Sequence, residues 1–375
     1  MKKIFMFVNV DWFFYSHRLP IANASREHDI NMFVFTEITD KEINQTPLEY
    51  RMVQSPLTRK LNNPWSLFSE FLSALFLIYR EKPDVIHAVT IKPILFMGLI
   101  ARLTKTPFIA AISGFGPVME QNNFIKKLRF KMVLLIYRFI FSSETVNTIC
   151  QNENDKNILL QHSLCDKSKI TIIPGSGVDL KKFKPSTSGK TWDTVLMASR
   201  ILKDKGVEEY CSAAKLFKKT DKRNVKFMLA GPIDKSSPSS ISEEDINKLC
   251  LDSDVEYLGA EKDLENLLAS SSIFVLPSYY AEGVPKVLLE ASACGVPIIT
   301  TDHPGCRDAI INNETGLLVK IRDSEAIYQA IKYLFDNPHI MEKMGKAGRE
   351  LAENSYNESE VVNLHYAIYS KVTKK

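Results

Sequence analysis

Two glutamates stand eight positions apart in the stretch SYYAEGVPKVLLEASACG, residues 278–295. The preceding run SIFVLPS is typical of a buried strand, and the residues around Pro285 are typical of a helix start, because proline lacks the N–H that would have no partner there. The pattern places Glu282 in a loop and Glu290 more than one turn along the next helix. We expect that helix to begin near Val284, with Pro285 at its first position.

Carboxylates placed in this way are too far apart to share a proton, but both can reach one elongated ligand. The start of a helix favours phosphate, because its first N–H groups lack intrahelical partners and the dipole is positive there. A nucleotide-sugar fits this arrangement, with its diphosphate at the helix start and its ribose and sugar hydroxyls on the two carboxylates. Glutamates eight positions apart are common in soluble helices, so the interpretation as a nucleotide-sugar site depends on the neighbouring residues.

Two basic residues supply that context. Arg200 and Lys205 lie in the stretch SRILKDKG, which follows the predicted strand DTVLMAS and precedes a predicted helix. We expect both to emerge at the carboxyl edge of the same sheet as Glu282. Cations there would stabilise the charge that a departing diphosphate develops. Either residue alone could equally belong to a solvated basic turn.

The chain as a whole alternates β-rich runs with helical segments, which predicts an α/β fold with parallel sheets covered on both faces. The first series of strands is KIFMFVNV, NMFVFT, DVIHAV, PFIAAI, TVNTIC and KITIIP, and the second is DTVLMAS, VKFMLAG, VEYLG, SIFVLPS and VPIITT. The polar stretch 181–190 separates them. We therefore predict two Rossmann-like, doubly wound domains, residues 1–180 and 181–355, facing each other across a cleft, with a C-terminal helix in 356–375 that packs back toward the first domain.

Composition narrows the class of protein. The chain has 375 residues, a formal net charge of +4 and six cysteines without metal-ligand spacing, which fits a cytoplasmic protein of two domains. Lys2 and Lys3 before an apolar run resemble a signal peptide, but Asp11 interrupts the run and a buried first strand is the better interpretation. Without a stacking platform or a known motif, the basic residues do not indicate a nucleic-acid partner.

With these motifs in view, the chain resembles the retaining GT-B glycosyltransferases that carry a Glu-x7-Glu motif, the glycosyl transferases group 1. The resemblance is densest in LMASRILKDKGV and in EGVPKVLLEASACGVPIITTDHPGCRDAI. It implies that Glu282, Arg200 and Lys205 are catalytic, with Glu282 on the transferred sugar. It also implies donor-binding roles for Glu290, at the ribose, and for Gly283, Val284, Lys286, Gly231 and Asp308.

Two departures from the family pattern affect these roles. Pro285 stands where many relatives have glycine, so one backbone donor is missing, and the Lys286 side chain is a candidate to replace it. Asp308 stands where relatives usually carry the longer glutamate. The resemblance further implies a UDP-sugar donor, retention of anomeric configuration without a dedicated base, and no metal or other cofactor. We interpret Asp252-Ser253-Asp254, which imitates a metal motif of another glycosyltransferase fold, as a solvated loop.

The acceptor side is most similar to bacterial polyprenyl-diphosphate-sugar N-acetylgalactosaminyltransferases, which implies a lipid-linked sugar acceptor in the assembly of surface polysaccharides or glycans. The tentative acceptor-binding residues lie in loops after predicted strands: His17, Arg18, Lys92, Ser113 and Gly114. For His17 and Arg18, capping of the first helix is the alternative. Gly116 completes a Gly-x-Gly loop, which is a weak signal by itself.

A basic amphipathic segment occupies residues 124–141, FIKKLRFKMVLLIYRFIF. Such a helix suits an anionic membrane surface, so we predict a peripheral location on the cytoplasmic face of the inner membrane. An ordinary helix packed on the sheet with a solvated basic edge is the alternative. For the activity, a GT-B sugar-nucleotide epimerase or hydrolase and a noncatalytic nucleotide-sugar binder remain alternatives.

Overall fold

A computed structural model describes residues 1–39, 49–58, 63–115, 124–186 and 193–373. The chain divides into two compact units: unit 1 comprises Met1–Ser176 and Glu358–Lys375, and unit 2 comprises Gly177–Asn357. The predicted divisions, after residues 180 and 355, stand a few residues away from these boundaries.

Unit 1 is built on a parallel sheet with the strand order β3-β2-β1-β4-β5-β6-β7. Its strands are β1 (Lys2–Val10), β2 (Ile30–Glu37), β3 (Arg51–Gln54), β4 (Val85–Val89), β5 (Phe108–Ile112), β6 (Val146–Cys150) and β7 (Ile170–Ile172). Its helices are α1 (Asp11–His17), α2 (Leu19–Asn23), α3 (Pro64–Glu81), α4 (Ile91–Thr104), α5 (Phe124–Phe141), α6 (Glu153–Gln161) and, from the end of the chain, α13 (Glu358–Thr373).

Helices cover both faces of this sheet, which explains why β4 and β5 are buried at every position. One face packs with α3, α4 and α5, and the other packs with α1, α2 and α13. Helix α13 contacts α2 and β4, so the last helix of the chain completes the core of unit 1.

Unit 2 repeats this topology, with the parallel strand order β10-β9-β8-β11-β12-β13. Its strands are β8 (Thr194–Ala198), β9 (Lys226–Ala230), β10 (Val255–Gly259), β11 (Ile273–Leu276), β12 (Ile298–Thr301) and β13 (Gly316–Val319). Its helices are α7 (Val207–Thr220), α8 (Glu243–Ser253), α9 (Leu264–Ser270), α10 (Lys286–Ala293), α11 (Ser324–Asp336) and α12 (Pro338–Ser355). Each sheet changes direction of strand order beside its first strand, and such a switch point is where ligands bind in open α/β sheets.

The sequence prediction missed two strands and displaced one helix start. Both missed strands, β3 and β13, lie at sheet edges. Strand β3 (RMVQ) has polar residues at both ends, and β13 (GLLV) begins with a glycine. Helix α10 begins at Lys286, because Pro285 has an extended ψ of 121° and stands before the first helical residue. The expected start near Val284 is therefore wrong by two residues.

Among the described residues, no helix is long and apolar enough to cross a membrane. Asp252-Ser253-Asp254 forms the end of α8, where Asp254 caps the helix and pairs with Lys218 at 2.8 Å. The expectation of a loop there is wrong, because the helix continues to Ser253.

Candidate active site

The candidate site lies at the switch point of the unit 2 sheet, beyond the carboxyl ends of β8 and β11. The β8 loop carries Arg200 and a 3-10 turn, Lys203–Lys205, while the β11 loop carries Glu282. Backbone contacts join the two loops, since the N–H of Tyr279 donates to the carbonyl of Asp204 at 2.9 Å. Parallel topology thus brings together residues that are far apart in the chain.

Lys205 and Glu282 form an ion pair between these loops. The two side chains are 7% and 22% exposed, so the pair is largely shielded from water. The buried Ser278 hydroxyl lies 3.4 Å from the same Glu282 oxygen, Oε1. The structure therefore joins two of the three predicted catalytic residues directly, in a setting where charge interactions are stronger than at an open surface.

Arg200 pairs with a carboxylate that sequence reasoning missed. Its Nη1 donates to Oδ2 of Asp234 at 2.8 Å. The other Asp234 oxygen, Oδ1, accepts from the N–H and hydroxyl of Ser236 at 3.2 and 2.6 Å. Asp234 therefore holds Arg200 and its own turn at once. In the sequence, the position of Asp234 shortly after the turn that follows β9 could have identified it as a site residue.

Tyr280 is a second residue that the sequence prediction did not single out. Its ring centroid lies 5.8 Å from Cζ of Arg200 and 5.4 Å from Nζ of Lys205. An aromatic face attracts cations. Tyr280 therefore links the two basic residues, which would otherwise repel each other.

Glycines permit the close approach of the loops around the site. Gly231 has a φ of +143°, and a Cβ there would lie 1.7 Å from the carbonyl oxygen of Ser199. The turn after β9 therefore presses against the loop that carries Arg200. This contact is a structural reason for Gly231, and its donor-binding role stays a prediction.

Gly305 supports the loop that carries Glu282. It has a φ of +85°, and a Cβ there would lie 2.2 Å from the carbonyl oxygen of Gly283. Asp308 shapes the supporting loop, since its Oδ2 accepts from the N–H of Gly305 at 3.1 Å, and its carbonyl accepts from the Tyr356 hydroxyl at 2.7 Å. In this structure Asp308 stabilises the loop that packs against Gly283, and its contact with the donor stays a prediction.

His303 is a third neighbour that the sequence prediction missed, although it follows strand β12 directly in TDHPG. Its Nδ1 lies 3.1 Å from the carbonyl oxygen of Pro304, which can only accept, so Nδ1 carries the proton. Burial lowers the pKa of His303, while the Glu282 charge acts in the opposite direction. His303 is therefore a neutral imidazole beside Glu282 at neutral pH.

The remaining donor-side residues follow Glu282 along the chain. Gly283 and Val284 are buried, and the half-buried Lys286 is the first residue of α10. Glu290 is also half-buried, and its carbonyl accepts from the N–H of Cys294 at the end of the helix. These positions are consistent with a ligand lying along the start of α10, and the individual contacts stay predictions.

In unit 1, Arg18 is only 2% exposed and lies in the interior beside α13. It donates to the carbonyl of His17 at 3.1 Å, and burial lowers its pKa to about 10. His17 ends α1 and stacks on Phe13 with ring centroids 4.3 Å apart. Arg18 is thus part of the interior of unit 1, and acceptor binding by either residue stays a prediction.

Lys92 pairs with Glu70 of α3 at 2.8 Å. It also donates to the carbonyl of Thr58, which precedes α3, at 2.7 Å. Ser113 and Gly114 follow β5, and the Ser113 hydroxyl is buried without a hydrogen-bond partner among the described residues. Gly116 lies outside the described residues. An unsatisfied buried polar atom is costly. The Ser113 hydroxyl and the Arg18 Nε are two such atoms among the acceptor candidates, and acceptor binding by these residues stays a prediction.

Sequence comparison decides the family. The profile described as glycosyl transferases group 1 matches residues 179–351, and the profile described as glycosyl transferase 4-like matches residues 3–152. Together the two matches span most of the chain. Residues 179–351 belong to the glycosyl transferases group 1. The predicted family and the predicted glycosyl transfer are thereby confirmed.

Two curated relatives match this chain over most of its length. One is the N,N'-diacetylbacillosaminyl-diphospho-undecaprenol alpha-1,3-N-acetylgalactosaminyltransferase of Campylobacter jejuni, which is 29% identical over 96% of both chains. Another is the UDP-Gal:alpha-D-GlcNAc-diphosphoundecaprenol alpha-1,3-galactosyltransferase of Escherichia coli, which is 27% identical over 76% of this chain and 75% of its own. Both names describe transfer to a sugar carried on a lipid diphosphate.

Among solved structures, the sucrose-phosphate synthase of Thermosynechococcus elongatus superposes with a TM-score of 0.81 over 99% of both chains at 20% identity. At this identity the likeness concerns the fold. Together with the two parallel-sheet units, it confirms the predicted GT-B fold.

Proposed function

We propose that this group 1 glycosyltransferase transfers a hexose or N-acetylhexosamine from a UDP-sugar to a polyprenyl-diphosphate-linked sugar, with retention of anomeric configuration. The observation that carries the proposal is the shielded Lys205–Glu282 pair beside Arg200, at the switch point of the unit 2 sheet. The names of the two relatives support the lipid-linked acceptor, and one of them supports a UDP-sugar donor.

In this proposal the donor diphosphate forms ion pairs with both basic residues. Arg200 and Lys205 are held here by the carboxylates of Asp234 and Glu282. A bound diphosphate replaces these carboxylates, and Glu282 is then available to a hydroxyl of the transferred sugar. A diphosphate carries more charge than a single carboxylate and can contact both cations at once, which favours the exchange.

The reaction step uses the leaving group as its base. The bond between the anomeric carbon and the diphosphate oxygen breaks, and the acceptor hydroxyl oxygen forms the new bond on the same face of the sugar. Because the new bond forms on the face that the leaving group vacates, the configuration is retained. The acceptor proton passes to the departing phosphate oxygen. Arg200, Lys205 and the start of α10 stabilise the charge on the diphosphate, which makes a metal ion unnecessary in this proposal.

Other residues position the two substrates. We assign Glu290 to the ribose and the backbone around Gly283, Val284 and Lys286 to the diphosphate, beside the turn at Gly231 and the loop of Asp308. On the acceptor side the candidates are those predicted from sequence: His17, Arg18, Lys92, Ser113 and Gly114. The proposal includes a peripheral location on the cytoplasmic face of the inner membrane, which the exposed cations of helix α5 support.

The test is transfer from radiolabelled UDP- and GDP-sugars, with and without a polyprenyl-diphosphate-N-acetylhexosamine acceptor. We expect one UDP-sugar to support acceptor-dependent transfer. Glu282→Gln should reduce the rate by about two orders of magnitude, the size typical for loss of a group that acts at the reacting centre. Glu314→Gln, which changes an exposed glutamate of the same unit, is the control and should retain the wild-type rate.

The product also reports the stereochemistry. An α-linked product from an α-configured donor, assigned by the coupling constant of its anomeric proton, supports retention, and a β-linked product contradicts it. Donor breakdown that proceeds equally without acceptor would indicate an epimerase or hydrolase instead.

A further inference from the structure

Helix α3 presents large apolar side chains to solvent along its whole length. They recur every three or four positions and form the α3 stripe, defined as Trp65, Phe68, Leu72, Phe76 and Tyr79. Trp65 is 82% exposed and Tyr79 is 72% exposed. The opposite side of the helix already fills the core of unit 1 through Ala74 and Ile78. The stripe is therefore apolar surface that the fold itself does not use.

Before Arg80, the outer side of α3 also lacks charge; Arg80 itself is a cation, with its Cζ 6.0 Å from the ring centroid of Phe76. Glu70 is the one charged residue between Pro64 and Tyr79, and it is buried and paired with Lys92 at 2.8 Å. The exposed residues between the stripe positions are serines, Ser69 and Ser73. The outer face of a solvated helix normally carries charged residues, and a contiguous apolar patch marks an interaction surface.

Helix α5 carries a second exposed row, with a different character. Its apolar members are Phe124, Ile125, Leu128, Met132, Leu135 and Phe139. Between them stand exposed cations, namely Lys127, Arg129, Lys131 and Arg138, and residues 124–141 include no Asp or Glu. Arg102 of α4 adds a further cation, with its Cζ 4.8 Å from the ring centroid of Phe139.

Both rows lie on the same side of unit 1. Helices α3, α4 and α5 pack on one face of the sheet, and α4 contacts both of the others. A groove of about 1050 Å³ runs next to α3, and its apolar lining includes Leu72, Phe76, Tyr79 and Leu103. Its charged lining residues include Lys82, Lys105 and Asp84. The apolar surface of α3 therefore continues past its own stripe toward the end of α4.

We propose that the α3 stripe is a membrane-inserting element, which enters the interfacial layer of an anionic bilayer while the cations of α5 hold the surface electrostatically. Charge complementarity selects this occupant, because neither helix exposes a fully solvated carboxylate among its described residues and α5 exposes several cations. Trp65 and Tyr79, at the two ends of the stripe, are residue types that prefer the boundary between lipid and water. An amphipathic helix lying in that plane buries its apolar face in the headgroup layer.

This inference rests on unit 1 alone, so it does not depend on the donor chemistry proposed above. It deepens that proposal by giving the enzyme a fixed orientation toward a lipid-held acceptor. The two helices have separable tasks: insertion by α3 does not depend on salt, whereas attraction by α5 weakens as salt screens the charges.

Fluorescence of Trp65 provides the test. In a Trp12→Phe, Trp192→Phe variant, Trp65 is the remaining tryptophan. The probes are vesicles of phosphatidylethanolamine with phosphatidylglycerol, and neutral phosphatidylcholine vesicles for comparison. With the anionic vesicles we expect the emission to shift to shorter wavelength and lipids brominated on the acyl chain to quench it. Unshifted and unquenched emission while the protein remains bound would overturn the proposal.

Vesicle sedimentation separates the two helices. Phe68→Gln with Phe76→Gln should weaken binding at least tenfold at every salt concentration. Lys127→Gln with Lys131→Gln should weaken it about tenfold or more at low salt and reduce the salt dependence, since each cation near the surface is worth about 1 kcal/mol. The matched control is Leu251→Gln, which removes an 83% exposed leucine from α8 of unit 2 and should change nothing.

Two further outcomes would contradict the inference. Wild-type binding by the Phe68/Phe76 variant would show that α3 does not insert. Self-association of the wild-type protein that this variant abolishes would assign the stripe to a second copy of the chain. Transfer to a short-chain, water-soluble acceptor should be unaffected in the variant. If such transfer fails even in the wild type while Trp65 inserts, the proposed function fails and the membrane inference stands.

Discussion

At the scale of single residues, the site is organised by paired charges. Arg200 and Lys205 each contact a carboxylate, and both lie near the face of Tyr280. This arrangement keeps the cations in place and prevents their mutual repulsion from driving them apart. It also means that a diphosphate has to compete with carboxylates that already occupy both partners, which favours ligands with a high charge density.

Lys205 permits a sharp test at this scale. Lys205→Met should lower kcat/KM for the donor by about 10²–10³, because it removes a shielded cation from the position where the leaving diphosphate develops charge. The matched control is Lys203→Met in the same 3-10 turn, since the Lys203 side chain is 58% exposed. Steady-state kinetics measure this effect, and thermal melting checks that both variants are folded. An equal loss of activity in the two variants would contradict the assignment.

At the scale of elements, the loop after β12 sets the position of the loop after β11. Gly305→Ala should displace the Glu282–Gly283 segment, because the added Cβ would lie 2.2 Å from the carbonyl oxygen of Gly283. We expect a rise in donor KM of about tenfold or more, since small misplacements of catalytic groups are costly.

Gly259→Ala is the matched control for this prediction. Gly259 also has a positive φ, +71°, but a Cβ there meets nothing within 4 Å. Both variants carry the backbone cost of alanine at positive φ, and only Gly305→Ala carries the clash. Equal donor KM values for the two variants would show that the contact between the loops does not position Glu282.

At the scale of the whole molecule, the end of the chain is needed to complete the core of its beginning. Helix α13 packs against β4, and the Tyr369 hydroxyl lies 2.7 Å from Nδ1 of His87. Burial and the nearby Arg18 guanidinium lower the pKa of His365 to about 3. Burial, with His365 and Arg18 as further causes, also holds the pKa of His87 well below its ordinary range. The buried Arg18 charge is thus tolerated beside these histidines only while both imidazoles are neutral.

This cluster predicts a loss of stability in mild acid. The unfolded chain binds a proton at His365 below pH 6.5, whereas the folded chain does so only near pH 3, so stability falls as the pH drops through this window. From pH 7 to pH 5 we expect His365 to account for about 2 kcal/mol of the free energy of unfolding.

Chemical denaturation of the full chain at the two pH values measures this effect. His365→Leu should flatten the pH dependence, while His339→Leu, at an exposed position on α12, should leave it unchanged. The same pH dependence in wild type and His365→Leu would contradict the prediction.

Several features of this protein could be inferred from the sequence because they depend on local chemistry. Apolar runs revealed the central strands, and the motifs that carry Arg200, Lys205, Glu282 and Glu290 indicated the family. The diphosphate site that these residues predict stays a prediction. The edge strands β3 and β13 escaped prediction, because β3 has polar residues at both ends and β13 begins with a glycine, so neither stands out as a bounded apolar run.

Other features depended on contacts between distant parts of the chain, and only the tertiary structure decided them. The partnership of Arg200 with Asp234, the place of Tyr280 near both cations and the burial of Arg18 beside α13 each join segments that no local pattern relates. The same holds for the α3 stripe: a helix of aromatic and aliphatic residues looks like core in sequence, and only packing shows which of its sides is covered. Sequence determines which side chains are available, whereas the geometry of the sheet determines which of them meet.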